Sequence, residues 1–130
     1  MKKIFRILLL IFFNTIFILT STVAEEEKIK IGLLVPLTGD NEKIGKQIVK
    51  AVRMALKDIG TNQIEVYPKD TQSDPNTTFR SAVELDQMGI NLIIGPVFYE
   101  NLIYLNEINN ITFLSLTNKT LDLPKNVISA

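Results

Sequence analysis

Two carboxylates stand four residues apart in the polar stretch KDTQSDP (residues 69–75), and carboxylates are the groups in this chain best suited to hold a metal ion or accept a phosphoryl group. A magnesium or phosphoacceptor site needs carboxylates that converge from the ends of adjacent strands. Near the end of the first predicted strand the sequence offers only Asp40, beyond a proline and a glycine. Asp74 is better explained as a helix N-cap, because Pro75 suits the first helical position. The sequence therefore predicts no metal site.

The composition excludes several classes of function. The 130 residues contain no His and no Cys, which rules out thiol nucleophiles, disulfides, zinc thiolate sites and imidazole bases. Three of the 14 basic residues (Lys2, Lys3 and Arg6) precede all 14 acidic residues, so the chain from residue 25 onward is net acidic. The remaining basic residues are scattered, which argues against nucleic acid as a partner. We predict a protein that is not an enzyme and that carries no cofactor.

The elements that position any site are organised around residues 28–40, KIKIGLLVPLTGD. The apolar run in this stretch is too short for a helix and too continuous for a strand with one buried face. It is typical of a parallel strand covered on both sides. Pro36 ends the run, and a Thr-Gly-Asp turn leads into a helix. Ligands of open α/β sheets bind at such carboxyl ends of strands.

Strand and helix patterns alternate along the rest of the chain. Further strands are predicted over residues 64–67, 91–94, 111–116 and 126–129, and helices over residues 41–59, 75–88 and, more weakly, 100–108. This alternation predicts an α/β fold with right-handed crossovers and a doubly wound parallel sheet. The second strand alternates apolar and polar residues and the first and third do not, so the predicted strand order is 2-1-3-4(-5).

The first helix is amphipathic. Its predicted apolar face consists of Ile44, Ile48, Val52, Ala55, Leu56 and Ile59. The opposite side is basic and consists of Lys43, Lys46, Lys50, Arg53 and Lys57. A basic side could face an anionic surface or membrane, but Glu42 and Asp58 share the helix, and this mixture favours an ordinary solvated face.

Residues 1–24 have the layout of a secretory signal peptide: a basic start, an apolar core over residues 7–19 and a small polar end. We expect cleavage after Ala24, which places residues 25–130 in the periplasm as one domain. The apolar core is short for a membrane span, which needs about 20 apolar residues. Thr22 is an imperfect cleavage residue, so the alternative is an uncleaved anchor, and this segment would then be the chain's only membrane contact.

Several segments together resemble the type I periplasmic binding proteins of the branched-chain amino acid receptor kind. These are IKIGLLVPLTG, IGKQIVKAVRMALKDI, KDTQSDP, LIIGP and TFLSLTNKT, in this order. LIIGPVFYENL and LSLTN are also similar to the leucine-binding-protein-like domain of penicillin-binding protein activators. The resemblance covers nearly all of residues 28–130. It implies a two-lobed binding protein of which this chain supplies the N-terminal part of lobe one.

The resemblance also implies where a ligand would bind, namely at the loops that follow strands one, three and four. Carried over by position, the expected ligand-binding residues are Thr38, Phe98, Tyr99, Thr117, Asn118 and Thr120. Where the family has two serines after the third strand, this chain has Phe98 and Tyr99. That departure favours an apolar or ring-bearing ligand over an α-amino acid, or a site that has lost small-molecule binding. Phe98 could equally be a packing residue.

Two functions follow from the resemblance. The first is a periplasmic solute-binding protein that recognises a small molecule, such as an amino acid, and delivers it to an ABC permease. The alternative is an interaction domain in cell-wall synthesis that docks on a peptidoglycan synthase without transporting a solute.

Overall fold

The computed structural model describes residues 28–130 together with Lys3, Ile4 and Arg6. Apart from these three residues, the predicted signal peptide lies outside the described part of the chain, as does its cleavage site. Five parallel strands form one sheet in the order β2-β1-β3-β4-β5, which confirms the predicted α/β class and strand order. The strands are β1 (Ile29–Val35), β2 (Ile64–Asp70), β3 (Leu92–Ile94), β4 (Thr112–Ser115) and β5 (Val127–Ser129).

Two of the three predicted helices are present. Helix α1 (Glu42–Ile59) follows β1, and helix α2 (Pro75–Gln87) follows β2. The prediction of a third helix over residues 100–108 is wrong, because the chain forms two short 3-10 turns there, Tyr99–Leu102 and Leu105–Glu107. The segment is rich in asparagine, which competes for backbone hydrogen bonds and disfavours a continuous α-helix.

The hydrophobic core lies on the face of the sheet that α2 covers. Every second residue of the central strands points into it, and the two 3-10 turns close it at one side. Its fully buried members include Leu34, Leu85, Ile90, Ile93, Leu105 and Phe113. This packing fixes β1, β3 and β4 side by side, so the loops that follow them emerge at one edge of the sheet.

Among the described residues, the helix on the other face of the sheet is α1, which packs mainly on β1. Gly45 is the one residue of α1 that is buried, and a Cβ atom added there would lie 1.8 Å from the carbonyl oxygen of Pro36. The predicted apolar face of α1 is therefore only partly covered. Ile48, Val52 and Leu56 are half-buried, whereas Ile44 is 40% and Ile59 is 65% exposed.

Candidate functional site

The loop after β1 is tied to the end of β2 by one carboxylate. Asp70 lies opposite Val35 in the β1–β2 register, so its side chain reaches the residues that follow β1. It accepts hydrogen bonds from the Leu37 amide (2.7 Å), the Thr38 hydroxyl (2.6 Å) and the Gln72 amide (2.9 Å). The hydroxyl of Thr38, a predicted ligand-binding residue, is thus engaged within the chain.

These contacts set the charge of Asp70. Burial raises the pKa of this carboxyl, but hydrogen bonds from the Thr38 hydroxyl and from backbone amides outweigh burial and hold the pKa below its ordinary value. Asp70 is therefore a carboxylate at neutral pH. Its oxygens are occupied by donors of the two loops, which explains the residue as a fastening between strand ends.

The loop after β2 has its own carboxylate cap. Asp74 precedes α2 and accepts hydrogen bonds from the Thr77 amide at 2.7 Å and the Thr77 hydroxyl at 2.8 Å. These bonds lower the pKa of Asp74. The N-cap predicted for Asp74 is confirmed. This loop also contacts the loop after β1, because the side-chain amide of Asn41 donates a hydrogen bond to the Ser73 hydroxyl at 3.1 Å.

The loops after β3 and β4 are joined through Pro96. Its carbonyl accepts hydrogen bonds from the Leu116 amide at 3.0 Å and the Ser115 hydroxyl at 3.3 Å. Gly95 is required before it, since its φ is 103° and a Cβ atom would lie 2.2 Å from the Leu34 carbonyl oxygen. The third and fourth strand ends are therefore held close together.

The predicted ligand-binding residues of these two loops differ in their surroundings. Phe98 is half-buried, whereas Tyr99 is 50% exposed. Thr117 is buried, and its hydroxyl accepts a hydrogen bond from the Lys119 amide at 3.3 Å. Asn118 and Thr120 are exposed.

Tyr99 is the predicted residue that lines a cavity, of about 570 Å³, between the two loops and the first 3-10 turn. The Lys119 ammonium lies 5.3 Å from the centre of the Tyr99 ring, a cation–π contact that joins the loop after β3 to the loop after β4. Glu100 and Asp122 add negative charge. The apolar part of the wall comes from Pro75, Leu102, Ile103, Leu123 and Pro124. Volumes of this size accommodate small organic ligands.

Sequence reasoning did not select Lys119, Glu100 or Asp122 for this cavity. Each lies one or two residues from a predicted position, and only the shape of the loops decides which neighbour turns inward. The sequence analysis did not identify Asn101 either. This residue is 1% exposed, and its side-chain amide has no hydrogen-bond partner among the described residues. No sequence pattern distinguishes this asparagine from the others nearby.

The described residues lack two other kinds of feature. No three acidic side chains there converge as metal ligands would. None of the helices in the described part of the chain combines the length and apolar character needed to span a bilayer.

Solved structures show what the chain resembles. A solute-binding protein of an ABC transporter from Rhodopseudomonas palustris, in complex with 3,4-dihydroxybenzoic acid, is 29% identical and superposes with a TM-score of 0.65 over 71% of this chain and 28% of its own. The C-domain of LpoA from Haemophilus influenzae, a regulator of PBP1A, is 27% identical, with a TM-score of 0.61 over 75% of this chain and 31% of its own. The leucine-binding protein LivK from Thermotoga maritima, at 20% identity and a TM-score of 0.63, supports the fold alone over 70% of this chain and 28% of its own.

This chain thus spans roughly three tenths of the length of the proteins it superposes on. No curated protein sequence gives a significant match. A profile of the periplasmic binding protein family matches residues 28–123, which include all of β1 to β4 and every residue of the Tyr99 cavity except Pro124. With the 2-1-3-4-5 parallel sheet, this match shows that the chain belongs to the type I periplasmic binding protein family, of whose fold it forms a part.

Proposed function

We propose that this chain is the N-terminal part of lobe one of a periplasmic solute-binding protein, and that it binds a small organic acid with a ring or an apolar body for an ABC transporter. The observation that carries the proposal is the cavity where Tyr99 and Lys119 meet. Lys119 is positioned to pair with a carboxylate, while the face of Tyr99 and the apolar wall offer surface for a ring.

The composition of the site supports an acid of this kind over an α-amino acid. In the family resemblance two serines stand where this chain has Phe98 and Tyr99, so the small hydroxyls of an amino acid clamp are replaced by aromatic rings. The Rhodopseudomonas palustris protein, whose bound ligand is an aromatic acid, is 29% identical to this chain over the 71% of it that aligns. Thr38, Thr117, Asn118 and Thr120 lie on the loops at the same edge of the sheet but do not line this cavity, so the proposal rests on Tyr99 and Lys119.

Calorimetric titration of the complete protein tests this proposal. Benzoate and 3,4-dihydroxybenzoate are compared with leucine and with benzyl alcohol, which has the ring but no charge. We expect the aromatic acids to bind and benzyl alcohol to bind at least tenfold more weakly. Lys119→Gln should lower the affinity for the aromatic acids about tenfold, as expected for the loss of one charged contact. Lys125→Gln is the matched control, because Lys125 is exposed on the same segment but does not line the cavity.

Equal binding of the acids by the Lys119→Gln and control variants would contradict the assigned site. Failure of every aromatic acid to bind, with tight binding of leucine, would contradict the assigned ligand class. Tyr99→Leu separates the two contributions of the site, since it keeps apolar surface and removes the ring.

A second function is favoured by the similarity to the LpoA C-domain, which covers 75% of this chain at 27% identity. In that case the chain belongs to an interaction domain that docks on a peptidoglycan synthase and binds no solute. Surface plasmon resonance against a purified bifunctional synthase distinguishes the two. Binding of the synthase together with no heat from any solute would support the second function and contradict the first.

A further inference from the structure

A groove that has no part in the proposed ligand site runs between helix α1 and the edge strand β2. It encloses about 630 Å³. It is lined by four cations, Lys46, Lys50, Arg53 and Lys57, which we call its rim, and by Leu37, Val49 and Pro68, which we call its floor. Met54 lines it from the outer side of the helix, opposite the buried Gly45. We refer to these eight residues as the basic groove.

The four cations of the rim form a single row. Their spacings of four, three and four residues place them on one side of α1, over about 17 Å of helix at 1.5 Å per residue. Lys46 forms an ion pair with Glu42 at 2.9 Å. Within residues 28–130, Lys50, Arg53 and Lys57 have no acidic partner among the ion pairs. Three of the four cations of the row are therefore without an ion-pair partner among residues 28–130, on a chain whose other residues are net acidic.

The floor of the basic groove is apolar and accessible. Met54, on the outer side of the row of cations, is 56% exposed and adds apolar surface there. Leu37 and Val49 are half-buried, and Pro68 is exposed on β2. An apolar floor below a cationic rim matches a partner that carries both an apolar side chain and negative charge.

We propose that the basic groove binds an acidic polypeptide segment in extended conformation, with carboxylates on the cations and an apolar side chain on the floor. An extended chain advances about 3.3 Å per residue, so five or six residues span the row of cations, and alternate residues face it. Because β2 is an edge strand of the described sheet, its outward backbone groups are available to such a chain. A bilayer is flat and fits a concave groove poorly. This proposal is independent of the solute, since the groove shares no residue with the Tyr99 cavity.

Fluorescence anisotropy of the full-length protein with a labelled peptide tests the proposal. The probe has serine at every second position, with glutamate, leucine and glutamate at the positions between, so that both carboxylates and the leucine face the groove when the peptide is extended. The reference peptide has glutamine in place of every glutamate. We expect the acidic peptide to bind and the reference peptide not to bind. Affinity should fall as salt rises from low to physiological concentration, because exposed charges are screened over about 8–10 Å.

A charge-removing variant assigns the binding to the groove. Each exposed ion pair contributes a few-fold in affinity. A triple variant should therefore bind the acidic peptide about tenfold more weakly; it combines Lys50→Gln, Arg53→Gln and Lys57→Gln. The matched control removes three cations elsewhere, with Lys30→Gln, Arg80→Gln and Lys125→Gln. Circular dichroism of both variants checks that each is folded.

Three results would overturn the proposal. The first is equal binding of the two peptides, and the second is an equal loss of affinity in the two triple variants. The third is that the protein binds vesicles containing phosphatidylglycerol more tightly than the acidic peptide, and that only the groove variant loses this vesicle binding. The last result would assign the groove to a membrane surface.

Discussion

Replacing Asp70 by alanine is the most direct perturbation of the strand-end edge. Its carboxylate joins the loop after β1 to the loop after β2 through three hydrogen bonds of 2.6–2.9 Å, from the amides of Leu37 and Gln72 and the hydroxyl of Thr38. Alanine removes all three acceptor contacts. The loop that carries Thr38 then loses its side-chain fastening to the sheet, so we expect both lower stability and a more mobile loop.

The magnitude follows from the number of bonds and from the solvent. A hydrogen bond to a charged group contributes about 1.5–3 kcal/mol when it is well shielded. Asp70 and Leu37 are only half-buried, and water replaces part of what is lost, so the total is discounted strongly. We expect Asp70→Ala to lower the free energy of unfolding by about 2 kcal/mol. Asp70→Asn keeps one carbonyl acceptor and should lower it by about 1 kcal/mol.

The same contacts predict a pH dependence. Because hydrogen bonds hold the pKa of Asp70 lower in the folded chain than in the unfolded chain, the unfolded chain binds the proton more readily. The stabilisation is complete above the unfolded pKa, about 3.9. It is lost as pH falls from there through the lower folded value. The stability difference between wild type and Asp70→Asn should therefore shrink below about pH 4.

Urea denaturation at neutral and acidic pH measures both effects. With a typical dependence of 1–3 kcal/mol per molar urea, Asp70→Ala should move the midpoint down by about 1 M. Asp40→Ala is the control, because Asp40 is an exposed carboxylate in the loop after β1 with no side-chain hydrogen bond among the described residues. A midpoint for Asp70→Ala that equals the midpoint of the Asp40 variant would refute the reasoning.

Three other substitutions give sharp expectations from thermal or urea unfolding. Asp74→Ala removes the N-cap of α2 and should lower the melting temperature by about 5 °C, whereas Asp74→Asn, which can also cap, should not. Gly45→Ala places a Cβ atom 1.8 Å from the Pro36 carbonyl oxygen and should lower the free energy of unfolding by about 3 kcal/mol. Gly60→Ala should lower it by about 1 kcal/mol, because φ is 68° there but the space around the residue is open. Asn126→Leu removes two hydrogen bonds of 2.8 Å to backbone carbonyls and should cost about 2 kcal/mol.

The sheet could be predicted from the sequence because its signals are local. The continuous apolar run of β1 indicates a strand covered on both faces, and the alternation over residues 64–67 indicates a strand with one covered face. This difference places β1 inside the sheet and β2 at its edge. Gly60 marks the end of α1, and Asp74 with Pro75 marks the start of α2. Each of these rules depends on a few neighbouring residues. Strand β2 nevertheless continues three residues beyond its predicted end, to Asp70, because an edge strand tolerates Pro68.

The burial of α1 could not be predicted in the same way. Periodicity predicts one apolar side of the helix, made of Ile44, Ile48, Val52, Ala55, Leu56 and Ile59. Of these, Ile48, Val52 and Leu56 are half-buried, whereas Ile44, Ala55 and Ile59 are exposed. Periodicity does not say whether another element lies against that side. Contact with β1 is made through Gly45, where the helix backbone approaches Pro36, so the helix sits close to one strand and leaves the rest of its apolar side open.

The candidate site was the hardest part to predict, because its walls come from loops and turns. Parallel strands guarantee that the residues after β3 and β4 emerge at one edge, and this alone brings Tyr99 near residues 117–120. Whether an aromatic ring faces a cation then depends on the 3-10 turn that begins at Tyr99, in place of the predicted α-helix. That turn and the loop after β4 bring Lys119 over the ring. The chemistry of the cavity, an ammonium group beside an aromatic face, therefore arises where the local rules for helices and strands end.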